Sequence, residues 1–179
     1  MDAYDLGRTD RERRGHINQV ILLLFVFAFT IHNLEESVWL IRQQSVNNTK
    51  IKLHSKVSQD EFLFGLFWMT SLAYLTTALY IFYPEVSLFK YAYFGFVGSI
   101  MLNIIFPHLL LTLVERYYSP GLLTGIVAVL PINSLIVKAG IDLGVITISQ
   151  WIVSTLVVGG ILILSIPISF KIGKRLITF

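Results

Sequence analysis

Apolar residues fill five long stretches of this chain almost without interruption, and polar residues gather in the breaks between them. The stretches run approximately from Ile17 to Ile41, Asp60 to Tyr83, Leu88 to Glu115, Pro120 to Val137 and Ser149 to Lys171. A bilayer core about 30 Å thick is crossed by a helix of about 20 mainly apolar residues, and each stretch meets that length. The pattern predicts an all-α integral membrane bundle of five transmembrane helices in one polytopic domain over 1–179. The chain is then almost fully used, which leaves no room for a second domain.

The breaks refine this picture. Residues Gln43 to Gln59 form the only long connection: a solvated linker, or a short interfacial amphipathic helix through Ile51, Leu53 and Val57. Within it, Asn47-Asn48-Thr49 matches a glycosylation sequon, a pattern short enough to recur by chance. Pro84-Glu85 ends the second span, Tyr117 to Gly121 join the third to the fourth, and Lys138 to Thr147 join the last pair. Short links favour sequential antiparallel neighbours. Asp60-Glu61 reads as an N-terminal helix signal, and Ser119-Pro120 as the cap and first turn of the fourth helix. Gly95 with Ser99 and Gly121 with Gly125 stand four apart, the spacing of close helix contacts in lipid, which is compatible with a homo-oligomer. Tryptophans and tyrosines fall mostly toward span ends, as interfacial belts do, and no internal repeat is evident.

Composition agrees: 55% of residues are hydrophobic and 14% charged, against roughly 45 to 50% apolar and 25% charged in a soluble domain. The mean hydropathy is +0.71. The net charge of +3 comes from sparse basic loops with no stripe of lysine or arginine among exposed aromatics, which argues against a nucleic-acid partner. With no cysteine, thiolate metal sites and thiol nucleophiles are excluded. The stretch from Arg11 to Ile31 has the charge and apolar run of a signal peptide but no small-residue cleavage site after it, so it is expected to be a retained helix. Six basic residues fall on the N-terminal side of the expected topology and eight on the other, which tilts the positive-inside rule toward a cytoplasmic C-terminus in the cell membrane.

Ionisable residues inside the spans are the candidate chemistry. Ile31-His32-Asn33-Leu34-Glu35-Glu36 places a histidine and two carboxylates where hydrocarbon is expected. An acidic residue deep in the bilayer costs about 2.5 to 3.5 kcal/mol on insertion scales, so such groups face a cavity, a partner or an ion. On a helix His32, Glu35 and Glu36 share one face, with Trp39 a turn further. The third span carries Asn103, His108, Thr112 and Glu115 displaced toward the same membrane face. His108, Thr112 and Glu115 share a face, whereas Asn103 lies about 140° from His108 on an ideal helix. Pro107 removes a backbone hydrogen bond and is expected to kink the helix just before His108, re-aiming the imidazole or bringing Asn103 onto the same cavity.

These residues carry a resemblance. His32-Asn33-Leu34-Glu35-Glu36, then Asn103 and His108, then Arg116-Tyr117-Tyr118-Ser119-Pro120-Gly121-Leu122-Leu123-Thr124 leading to Pro131, resemble the bacterial integral membrane proteins named for an HXXEE motif. The resemblance covers most of the chain and implies no reaction. The chemistry follows from residue types. Two imidazoles and a carboxylate are the ligand set of catalytic zinc sites that keep a fourth position for water. His32, Glu36 and His108 are the expected metal ligands for zinc or iron, with Glu35 handling protons or exchanging roles with Glu36. Asn103, Thr112, Glu115 and Ser119 are expected around the substrate. The leading expectation is a metal-dependent hydrolase of a lipid-phase or amphipathic substrate. Metal-free acid/base isomerisation or cyclisation comes second, and ion-coupled transport or small-ligand binding third. Against these stand blander readings: an interhelical polar network for the His/Glu group, a kink cap for His108, and helix glue for Asn103.

Overall fold

The computed structural model describes residues 18–45 and 57–177. Every long element among them is an α-helix, and five are long and apolar enough to cross a membrane. They are α1 (Gln19–Ser45), α2 (Gln59–Phe82), α3 (Ser87–Glu115), α4 (Leu122–Asp142) and α5 (Ile148–Ile177). Most of the expected interfacial segment and the sequon lie outside the described residues.

Local chemistry sets the helix ends. Asn18 Oδ1 accepts from the Val20 amide at the start of α1 (2.9 Å). At α2, Ser58 and Glu61 form a reciprocal capping box, with Ser58 Oγ accepting from the Glu61 amide (3.2 Å) and Glu61 Oε2 from the Ser58 amide (2.9 Å). α4 runs to Asp142, past the expected end at Val137, and the Lys138–Asp142 ion pair spans its last turn. Gly144, at φ 69°, then turns the chain, and the amides of Val145 and Ile146 both donate to the carbonyl of Gly140.

α3 is not straight. Proline has no amide hydrogen to donate, and around Pro107 the chain widens into a π-type turn over Ile104–Leu109, with Phe106 extended at φ −136°, ψ 113°. α4 has a similar wide turn over Gly125–Val129, just before Pro131.

The first half of α3 is pressed against α5. Gly95, Gly98 and Ser99 meet Ser154, Thr155, Val158 and Gly159, and Ser99 Oγ reaches the carbonyls of Gly95 (2.6 Å) and Thr155 (3.1 Å). Of the two small-residue pairs marked in the sequence, Gly95 with Ser99 lies in this seam. Of the other pair, Gly121 sits outside the helices in a turn at φ 89° pressed against His32 and Glu36 of α1, while Gly125 packs on Ile104 of α3. A Cβ on Gly95 would lie 2.5 Å from the Ser154 carbonyl oxygen, a backbone atom unable to swing aside. Gly95→Ala is therefore expected to destabilise the bundle by about 1 to 3 kcal/mol, measured as thermal unfolding of the detergent-solubilised protein.

An aromatic core fills the space on the other side of α3. Phe25 and Phe29 of α1 pack on Tyr93 and Phe96, and the buried Tyr93 hydroxyl donates to the Leu22 carbonyl (2.9 Å). On α1's other flank, Asn33 donates to Thr70 Oγ1 (2.7 Å), which sets the register between α1 and α2. Outward side chains such as Phe67, Leu113 and Leu164 are 67 to 70% exposed, as lipid-facing residues are.

Candidate metal centre

The middle of α1 carries the first half of the site. His32 is 1% exposed, wedged beside Phe29, and Glu36 lies one turn on with its side chain 11% exposed. The bend in α3 supplies the second half by aiming His108 at them. The two imidazoles meet edge to face with centroids 5.2 Å apart. Glu36 Oε1 lies 2.9 Å from His108 Nε2 and 3.6 Å from His32 Nε2. One ligand atom from each of His32, Glu36 and His108 falls within 4.8 Å of the other two.

The outer ring nitrogens are held separately. His32 Nδ1 is 2.9 Å from the carbonyl oxygen of Gly121, and because a carbonyl only accepts, that nitrogen carries the hydrogen. Its Nε2 is left facing Glu36. His108 Nδ1 bonds Ser119 Oγ (3.1 Å), and Ser119 is fixed in turn by its amide, which donates to Thr112 Oγ1 (2.9 Å). Asn103 Nδ2 is 3.2 Å from His108 Nε2. On a straight helix these two side chains would point apart; the bend before His108 brings them together.

Glu35 does something else. Its Oε2 accepts from the Thr124 amide (2.9 Å) and hydroxyl (2.6 Å), and its Oε1 accepts from the Tyr118 hydroxyl. The Tyr118 oxygen also receives the Leu123 amide (3.1 Å). Glu35 and Tyr118 together thus cap the N-terminus of α4 from outside, a place where the helix dipole favours an anion. Burial pushes the Tyr118 hydroxyl up from the ordinary phenol range, and the bond to Glu35 pushes it further. Ser119, expected as the cap of α4, is not one: α4 starts only at Leu122 after Gly121, and the Ser119 hydroxyl is taken by His108.

The structure therefore gathers His32, Glu36, His108, Asn103, Ser119 and Thr112 around one centre. It sets Glu35 beside that centre with both oxygens engaged, and leaves Glu115 exposed at the rim of a cavity. Sequence reasoning missed the Gly121 carbonyl, Tyr118 and Thr124 as partners. The signal for them was faint: a polar run directly after the polar face of the third span.

The cavity has a volume of about 620 Å³ and is bounded by α1, α2, α3 and α5, two helices more than the α1–α3 cleft expected. Glu36, His108, Asn103 and Ser119 open onto it, and most of the rest of its wall is aliphatic or aromatic.

These features define a class: a five-span membrane protein with a buried His/Glu centre opening on an apolar cavity. The chain belongs to the family described as "Protein of unknown function with HXXEE motif", which matches residues 23–136, a range that contains all three residues of the centre. It is also similar to the uncharacterized protein YrkK of Bacillus subtilis (strain 168), with 40% identity over 151 residues, 84% of this chain and 94% of that protein. No solved structure matches it.

Proposed function

We propose that the protein is a metal-dependent hydrolase of the cell membrane, acting on a lipid-phase or amphipathic substrate, with His32, Glu36 and His108 as ligands of one zinc or iron ion. One observation carries this reading: two Nε2 atoms and a carboxylate oxygen converge on one point while both Nδ1 atoms are bonded away from it. Metal-ligating histidines almost always donate their second nitrogen in this manner, which fixes the tautomer and the ring orientation. Both carboxylate–imidazole spacings fit as well. Two ligand atoms about 2.0 to 2.1 Å from a tetrahedral ion stand roughly 3.4 Å apart, and the 3.6 and 2.9 Å separations lie on either side of that value.

A divalent ion bound there would supply an activated water and polarise a carbonyl. The chain supplies the rest. Glu36 and His108 face the cavity, the apolar wall excludes bulk water, and the Asn103 amide, which bonds His108 Nε2 here, would be released to a substrate oxygen if an ion took that nitrogen. Glu35 is a positioning residue in this reading, because three donors already occupy its oxygens.

The 2.9 Å contact between His108 and Glu36 supports a second reading, in which the pair shares a proton and performs metal-free isomerisation or cyclisation of an apolar substrate. Metal analysis separates the two. The full chain, purified without an affinity histidine tag, is expected to carry about one equivalent of zinc or iron, lost in His32→Ala and in His108→Ala. Protein that is metal-free as isolated, and that takes up neither ion on titration, would exclude the hydrolase reading.

A further inference from the structure

We infer that the cavity takes one single-chain amphiphile with an uncharged ester- or amide-type head, admitted sideways from the bilayer between α3 and α5. Three observations lead there, and the identity of the head group rests on the hydrolase reading above.

The first is the shape of the gap between the two helices. α3 and α5 touch through small residues as far as Ser99 and Gly159, and beyond that point α3 bends at Pro107. Cavity residues past the contact are open to the outside: Leu102 and Ile105 are each 50% exposed, Phe106 66% and Ile163 69%. Every one is apolar. A mouth framed by such side chains at membrane depth faces lipid tails rather than water.

The second is size. At roughly 30 Å³ for a water-sized group, 620 Å³ holds on the order of 20 non-hydrogen atoms, one long chain with a small head rather than a two-chain lipid. The cavity is also long. Ser99 and Glu115 both line it, and they are 16 residues apart along α3, about 24 Å at the helical rise of 1.5 Å per residue before the bend shortens it. Phe29, Met69, Ser99 and Leu162 surround the inner part, deeper than Glu36 and His108, where a tail would lie.

The third is charge. Among the described residues no lysine or arginine lines the cavity, while Glu36 and Glu115 do. Beyond the ion proposed at the centre, a phosphate or sulfate head would meet carboxylates and none of the basic side chains that clamp such groups. A neutral carbonyl-bearing head instead meets Asn103 and the metal ligands.

The probe is a series of 1-O-alkylglycerol ethers from octyl to octadecyl, counted on the detergent-solubilised full chain by native mass spectrometry. Ethers resist hydrolysis, so binding is read independently of turnover. We expect one ether per chain, tightest for the longer members, with octadecyl phosphate and dialkylglycerol at least about tenfold weaker. Met69→Trp, or Leu162→Trp should the first variant not fold, fills the inner cavity and shifts the preference to shorter chains. The loss for octadecylglycerol is on the order of tenfold, equivalent to about two buried methylenes. Leu75→Trp, on the exposed face of α2, leaves the profile unchanged. Equal binding of the phosphate or the dialkyl lipid, or a chain-length profile that neither inner tryptophan moves, overturns the inference even if the protein holds metal and cleaves esters. The expected ether profile in a protein that takes up no metal supports the cavity assignment and refutes the hydrolase reading alone.

Discussion

Glu36→Ala protein is expected to lose metal while Glu35→Ala protein keeps it, although the two carboxylates are neighbours in the chain. Glu36 Oε1 stands between the two imidazole Nε2 atoms, so its removal leaves two neutral ligands and no compensating anion. Outer partners of metal ligands are worth about 10- to 100-fold in affinity, and loss of a ligand itself should exceed 100-fold in a zinc titration. Glu35 instead accepts three hydrogen bonds from Thr124 and Tyr118. Bonds to a charged group are worth roughly 1.5 to 3 kcal/mol each and are not additive, so Glu35→Ala should lower stability by about 2 to 4 kcal/mol by unfastening the start of α4. Metal content and thermal unfolding measured on both variants separate the two roles. Should Glu35→Ala lose metal as fully as Glu36→Ala while its stability stays unchanged, the division of labour between them is wrong.

Gly121→Ala is expected to damage the centre without touching any ionisable residue. Gly121 sits at φ 89°, a conformation costing an L-residue about 1 to 2 kcal/mol. An added Cβ would also lie 2.6 Å from His32 Cε1 and 3.0 Å from Glu36 Cγ. The ring must give way, and the carbonyl that orients it shifts with it. Zinc affinity should fall about 10- to 100-fold, the range for a lost orienting partner, together with a drop in thermal midpoint. Gly144→Ala makes the comparison, since Gly144 also has a positive φ (69°) but nothing stands within 4 Å of its Cβ position. That variant should lose stability alone. Equal zinc affinity in both would show that the turn does not hold His32.

The gap between these two glycines shows how far the chain could be read unaided. Both are glycines in breaks between apolar stretches, and nothing in their neighbours says that one supports an imidazole 89 residues away. The helices were legible because apolar runs of membrane length permit only one kind of segment, and the capping signal of Asp60-Glu61 is local to its own turn. The shared face of His32, Glu35 and Glu36 was legible as well, being a consequence of helical spacing. The division of roles between Glu35 and Glu36 was not. Spacing treats adjacent carboxylates as equivalent candidates, and only what stands opposite each one separates them.

By itself, then, the sequence determined five apolar helices, the position of the ionisable residues along two of them, and the family to which the chain belongs. These properties depend on residue type and on separations of a few positions, which the backbone converts directly into length and face. Tertiary structure decided that the bend at Pro107 aims His108 at Glu36, that the turn at Gly121 presents a carbonyl to His32, and that α2 and α5 complete the cavity. Each of those is a meeting of groups far apart in the chain, and no local rule sets the distance between atoms that only packing brings together.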